Sequence, residues 1–300
     1  IVGSNPDVNI LVELDRSEGY YTGHGDWTGA KRYYIVGDSS DEIASVELAD
    51  LGEVDSGSAE QISDFFTWGA TAFPAERYAL IMWNHGWSWS FAPQTSLTKG
   101  IMSDDETGND ISVVNGELRQ ILEDWTDTVG QPIDLLGMDA CIMQSWEIAT
   151  EVSDYASVYV ASQDYVSWAG WNYTDTLQDL VNAPEMTPLE LGESISQRFW
   201  ETDDLTISVV DLEEIPVFNQ YLNDFAETLS QDNPRMMFQA ARNSYSYDGS
   251  NNGQDHDLLG LVEYITENHE NPDVKEQGQY VIDHFDLLVP TNYVQEYLDT

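Results

Sequence analysis

The sequence predicts an α/β protein: a mostly parallel sheet with helices on both faces, followed by a helical C-terminal extension. Three observations predict it. Several short runs are apolar throughout, the pattern of strands buried from both sides. Amphipathic helical segments alternate with those runs. After residue 211 the pattern turns mostly helical. The chain has 300 residues, enough for one large domain or two modest ones. The change of pattern divides it into an α/β part, 1–211, and a mostly helical part, 212–300.

Each element has its own signal. "VNILVEL" (8–14) and "RYYIVGD" (32–38) read as strands. "SAEQISDFFTWGATAF" (58–73) has helical periodicity, with Ser58 placed to cap it. "YALIMW" (78–83) is a fully apolar strand, and a polar loop, 88–112, follows it. The segment 113–129 is amphipathic, with Val114, Leu118, Ile121, Leu122 and Trp125 on one face. "IDLLGM" (133–138) is apolar again, and 142–155 reads as a helix. "SVYVAS" (157–162) and "LTISVVD" (205–211) are further strands, separated by a helix near 187–203. Helices are expected at 212–230, 234–243, 257–268 and 272–288.

Composition limits the function. Ten basic residues face fifty-five acidic ones, a net charge of −45. Such a chain repels phosphate backbones, which excludes nucleic acid as a partner. Only Lys31, Lys99 and Lys275 are lysines. Acids spread along a chain so poor in lysine predict adaptation to molar salt, where the Debye length is about 3 Å and self-repulsion is screened. No apolar run reaches the length of a membrane span of about 18 residues. The single cysteine, Cys141, rules out an internal disulfide.

In a parallel sheet, ligands bind beyond the carboxyl ends of the strands. His85 and Cys141 each stand where an apolar strand stops. One strand–helix–strand crossover separates them, which brings the two strand ends within about 5–10 Å. Gly86 permits the close backbone approach that a substrate-facing turn requires. A histidine and a cysteine on one sheet edge form a base-and-nucleophile pair. Each alone has a plain structural reading: a satisfied histidine, or a small buried thiol.

At these residues the sequence resembles the clostripain-like cysteine peptidases, of clan CD, which share a fold with caspases, legumains and gingipains. "WNHG" (83–86) carries the histidine motif, and "IDLLGMDACIMQSWEIATEV" (133–152) carries the cysteine in its Asp-Ala-Cys context. "LGEVDSGSAEQISDFFTWG" (51–69), "GIMSDDETGNDISVVNGELRQIL" (100–122) and "ASQDYVSWAGWNY" (161–173) resemble the neighbouring segments. The resemblance covers roughly 8–215 and is loose beyond it. It implies a caspase-like sheet and a Cys141–His85 dyad that hydrolyses peptide bonds without a cofactor. It also implies an oxyanion hole at the backbone N–H groups of Gly86 and Cys141. A helix starting near Ile142 is expected to lower the thiol pKa with its dipole.

The resemblance further implies cleavage after Arg or Lys. Asp139 matches the acid of the family's P1 pocket; capping the next helix is the alternative role. Relatives often carry a second acid where this chain has Ala169, and Asp164 is the candidate to replace it. Trp168 and Trp171 are expected either to wall the pocket or to pack on the core. Lys99 lies in the region where the resemblance implies self-activating cleavage after a basic residue; an ordinary loop lysine is the alternative. The acidic stretches 103–110 and 248–257 offer oxygen ligands for calcium, although neither matches an EF-hand loop and solvated loops account for both. A secreted or cell-surface location follows from the resemblance; "IVGSNPDVNI" itself shows no signal-peptide pattern. The alternative function is a catalytically silent binding or adhesion module on the same fold.

Overall fold

The computed structural model describes residues 2–39, 43–89, 100–203, 205–247 and 256–294. Strands β1 (Leu11–Arg16), β2 (Gly29–Tyr34) and β3 (Val46–Gly52) form an antiparallel sheet. The second sheet has the order β4 (Ala79–Trp83), β5 (Ile133–Asp139), β6 (Ala156–Ala161), β7 (Ile207–Asp211) and β8 (Thr291–Tyr293). The first three of these run parallel, with Trp83 paired to Asp139 and Met138 to Ala161. The last two are antiparallel additions. The architecture is α/β with helices on both faces of the central sheet, as expected, but the strands near 8–14 and 32–38 belong to a separate antiparallel sheet.

The helices explain why the strands are apolar on both faces. Helices α1 (Ala59–Ala72), α2 (Glu117–Val129) and α3 (Trp146–Val152) cover one face of the sheet. Their side chains pack with Met82, Leu136, Met138 and Tyr159. Helices α4 (Tyr173–Asn182) and α5 (Pro188–Asp203) follow β6. From α5, Ile195 and Phe199 pack on Leu135, Val158, Val160 and Val209 on the opposite face. Leu135 and Leu136 are successive residues facing opposite layers, so both must be apolar.

Local signals set the helix ends. Ser58 Oγ accepts the N–H of Gln61 at 3.2 Å, as its position before α1 predicts. Gly130 closes α2 with φ +79 and donates its N–H to Thr126 O. Leu118, Ile121, Leu122 and Trp125 are buried on the expected face of α2. Val114 differs: the helix starts three residues after it, and Val114 is 51% exposed.

After β7 the chain forms α6 (Ile215–Asp232), α7 (Met236–Asn243), α8 (Leu258–Asn268) and α9 (Pro272–Leu288). All four expected helices are present. They share one continuous apolar core with the sheet, through Phe218, Phe225, Val262, Ile265 and Val281. Trp146 of α3 lies 4.9 Å from Phe218, ring to ring. The chain then returns to the sheet as β8. β3, α4 and β8 have no counterpart in the sequence pattern. β3 is mostly exposed and carries Glu47 and Asp50, so it lacks the apolar signal. Its pairing is secured across the sheet, where Lys31 Nζ lies 2.8 Å from Glu47 and 3.3 Å from Asp50.

Candidate active site

The parallel strands β4, β5 and β6 end at one edge, and both motifs leave the sheet there. Asn84 turns with φ +147, and its side-chain oxygen accepts the His85 N–H at 2.6 Å. His85 O in turn accepts the N–H of Met102 at 3.1 Å. Gly86 then passes directly against the other motif. A Cβ on Gly86 would sit 2.4 Å from Cys141 O and 2.8 Å from Ala140 Cβ. Only glycine allows this approach, as expected from the sequence. The two motifs are therefore in backbone contact.

The segment after Cys141 differs from expectation. Helix α3 begins at Trp146, not near Ile142. The N–H of Ile142 donates to Asp164 O at 3.0 Å, and that of Gln144 to Ser162 O at 2.9 Å. These amides are tied to the segment after β6, so they do not open a helix. Ile142 takes φ +55, a conformation a β-branched residue adopts only when its surroundings impose it. Ser145 caps α3 by accepting the Ile148 N–H at 3.3 Å.

The thiol of Cys141 is half-buried. Burial pushes its pKa above the usual thiol value, opposite to the lowering expected from a helix at Ile142. Two backbone N–H groups favour the thiolate: that of Val166, which points at Sγ from 3.3 Å, and that of Cys141 itself. Val166 belongs to the loop after β6, and the same loop reaches His85. The Trp168 ring meets the imidazole edge-on at 5.3 Å, and Trp168 is 87% exposed. Trp87 lies on the imidazole as well, at 6.4 Å. The 163–170 loop thus touches both members of the expected dyad.

Asp139 is 1% exposed. Its Oδ2 accepts the Trp171 N–H at 2.9 Å and the Tyr173 O–H at 2.8 Å. Its Oδ1 is buried and, among the described residues, has no hydrogen-bond partner. Desolvation raises its pKa to about 6. Gly170, with φ +68, makes the close turn over it: a Cβ there would lie 2.5 Å from Asp139 Oδ2 and 2.8 Å from Trp83 Nε1. Trp83, Gly170 and Tyr173, which no motif singles out, complete the surroundings of Asp139.

The remaining expected residues separate. Trp171 is 4% exposed and packs over Gly137, where a Cβ would meet its ring at 2.9 Å. It is a core tryptophan whose backbone serves Asp139. Asp164 accepts its own loop's Tyr165 N–H at 2.7 Å, and Tyr245 O–H lies 3.5 Å from its other oxygen. Burial raises the Asp164 pKa. Lys99 lies outside the described residues.

One group of acids has the spacing of a cation site. Carboxylate oxygens of Asp15, Glu53 and Asp104 lie within 4.8 Å of one another, an oxygen set that suits a hard divalent cation. Asp104 belongs to the expected acidic stretch 103–110. It already accepts the N–H groups of Ser56, Glu106 and Thr107, which gives it a structural role in joining two loops. Of the other stretch, residues 248–255 lie outside the described residues. Asp257 caps α8 by accepting the Leu259 N–H at 3.1 Å.

Comparison with known proteins identifies the family and the fold. The model of the clostripain family matches residues 2–294. Clostripain of Hathewaya histolytica is 26% identical over 198 residues, which is 60% of this chain but only 36% of that protein's length. A secreted C11 cysteine protease of Bacteroides thetaiotaomicron, solved with an irreversible peptide inhibitor, has the same fold, with TM-score 0.68 and 19% identity over 95% of this chain and 73% of that one. An inactive zymogen C11 protease of Parabacteroides distasonis superposes with TM-score 0.67 at 17% identity, covering 95% and 72%. With the family's pattern matched over residues 2–294, nearly the whole chain, this protein belongs to the clostripain family.

Proposed function

We propose that this protein is a cysteine endopeptidase that cleaves peptide bonds with Cys141 as nucleophile and His85 as its base. The observation that carries the reading is the contact of Gly86 with Cys141 O, which holds the histidine and cysteine motifs together beyond the strand ends. Cys141 rests as a thiol. His85 takes its proton as Sγ attacks the scissile carbonyl carbon, and the Val166 N–H helps hold negative charge on sulfur. The tetrahedral oxyanion falls to the N–H groups of Gly86 and Cys141. Among the described residues the Gly86 N–H has no acceptor, which supports this use. The imidazolium then gives its proton to the leaving amine, and water hydrolyses the thioester.

The P1 side chain is Arg or Lys, received by the buried carboxylate of Asp139. Activation includes cleavage after Lys99, the family's segment for self-processing. The chain acts as a secreted enzyme in high salt, and a calcium ion, where one is taken, binds at Asp15, Glu53 and Asp104.

The test uses peptides varied at P1, assayed in molar salt with and without a chelator. Cys141→Ala removes turnover and keeps the circular dichroism of the parent. His85→Ala loses about 10²–10⁴ in kcat. Substantial turnover by Cys141→Ala would overturn the dyad. Mass spectrometry of the same preparations reads cleavage after Lys99, which Cys141→Ala does not undergo.

A further inference from the structure

We propose that Asp203, the last residue of α5, is the second acid of the P1 pocket, so that a cationic side chain is bound by two carboxylates from different elements. The inference rests on the peptidase reading above and names a residue that the motifs do not contain.

Topology brings Asp203 to the site. β7 runs antiparallel to β6, with Ser208 beside Ala161. The helix that leads into β7 must therefore end at the edge where β4, β5 and β6 end. Side chains fix this end in place. Asn172 Nδ2 donates to Thr202 Oγ1 at 3.0 Å, and the residues on either side of Asn172 are the two that bond Asp139. Ser162 Oγ donates to Thr206 O at 2.6 Å.

Two features of Asp203 are costly, and no Lys or Arg among the described residues offsets them. Its Oδ2 is buried and unpartnered among the described residues, like Oδ1 of Asp139. Burying an unpartnered carboxylate oxygen is strongly unfavourable. A carboxylate at a helix C-terminus also faces the negative end of the helix dipole. No Lys or Arg of the described residues pairs with either acid. The negative charge of Asp203 adds to burial in raising the pKa of Asp139. Two neighbouring acids, each with a free buried oxygen, suit a guanidinium or ammonium group that supplies the missing donors. The 163–170 loop does not supply a competing acid. Ala169 is uncharged, and the Asp164 carboxylate faces Tyr165 N–H and Tyr245 O–H.

The experiment compares kcat/KM for Arg, Lys and Leu at P1 in the parent, Asp203→Asn and Asp203→Glu. Asp203→Asn lowers the Arg:Leu ratio about tenfold, chiefly through KM, as expected for one charge-assisted hydrogen bond. Asp203→Glu, which keeps the charge, restores much of the ratio. A ratio unchanged in Asp203→Asn, or an equal loss on all three substrates, overturns the proposal, because a structural role acts on every substrate alike. Calorimetry with an Arg-terminated peptide on the Cys141→Ala protein gives a second readout independent of turnover. Asp203→Asn in that background weakens binding about tenfold, again the value of one such bond. Absent hydrolysis by the parent with this loss of binding intact would sink the peptidase reading and leave the pocket standing. Unchanged binding sinks the pocket.

Discussion

Asp139 joins stability and the proposed P1 specificity in one side chain. The fold holds its carboxyl at about 6, against 3.8 for a free one. The folded state therefore binds this proton more tightly than the unfolded chain. Its contribution to stability is full below the unfolded value and is lost as pH rises to about 6, on the order of 3 kcal/mol. Asp139→Asn is expected to remove that loss, so its Tm falls less than the parent's between about pH 4 and pH 7. Binding runs the other way. The ionised carboxylate is the form that attracts a P1 cation, so the Arg:Leu ratio of kcat/KM rises through about pH 6 in the parent. Asp139→Asn flattens that rise. A variant that keeps the parent's pH-dependent preference shows Asp139 to be only the anchor of Trp171 and Tyr173. Cys141 follows the same physics, since burial holds its thiol protonated and leaves activation to its neighbours.

At the scale of elements, the site is an agreement between two turns. The β4 turn brings Gly86 against the β5 turn, and the 163–170 loop touches both. Gly86→Ala tests this geometry. Its Cβ would fall 2.4 Å from Cys141 O, and backbone cannot retreat as a flexible side chain can. The two turns must separate, with a stability loss of about 1–3 kcal/mol, the usual range for overpacking. Turnover is expected to fall more than stability does, because the displaced Gly86 N–H is also the proposed oxyanion donor. Thermal melting and kcat, measured together, check both parts. A variant with parental kcat would show that the contact is dispensable. The turn after Cys141 has a parallel lesson. Its amides bond to 162 and 164, so α3 starts four residues later than the periodicity suggests. The proposed nucleophile is thus held next to strained backbone at Ile142 rather than at a helix end.

At the scale of the molecule, charge dominates. A net −45 on 300 residues favours expansion in dilute buffer, where repulsion is least screened. The few cations are used locally. Arg32 bridges Glu13 and Asp64, Arg119 holds Glu151, and Arg198 holds Asp179 and Glu201. Salt is therefore expected to stabilise the fold. For domains somewhat smaller than this chain, each 1 kcal/mol moves Tm by about 2–4 °C. A rise of about 5 °C or more between about 0.1 M and 2 M KCl is the expected result. Scanning calorimetry reads it, and a Tm independent of salt would show that the acids are far enough apart to ignore one another.

The sequence by itself determined the strand–helix alternation, the two strand ends that carry His85 and Cys141, and the need for glycine at 86. Those features are local: an apolar run, a polar stop and a missing side chain are visible residue by residue. It also placed all four helices after 211, because their periodicity survives in isolation. What only the tertiary structure decided depends on partners distant in the chain. Exposed β3 exists through its pairing with β2. The antiparallel sense of β7 follows from where α5 ends. The roles of Trp168 and Trp171, three residues apart, diverge because one meets His85 in solvent and the other lies over Gly137. Asp203 is sixty-four residues from Asp139 and has no motif around it. Its oxygen, unpartnered among the described residues, becomes visible only once the fold has buried it, because desolvation belongs to the three-dimensional surroundings of an atom and not to its neighbours in sequence.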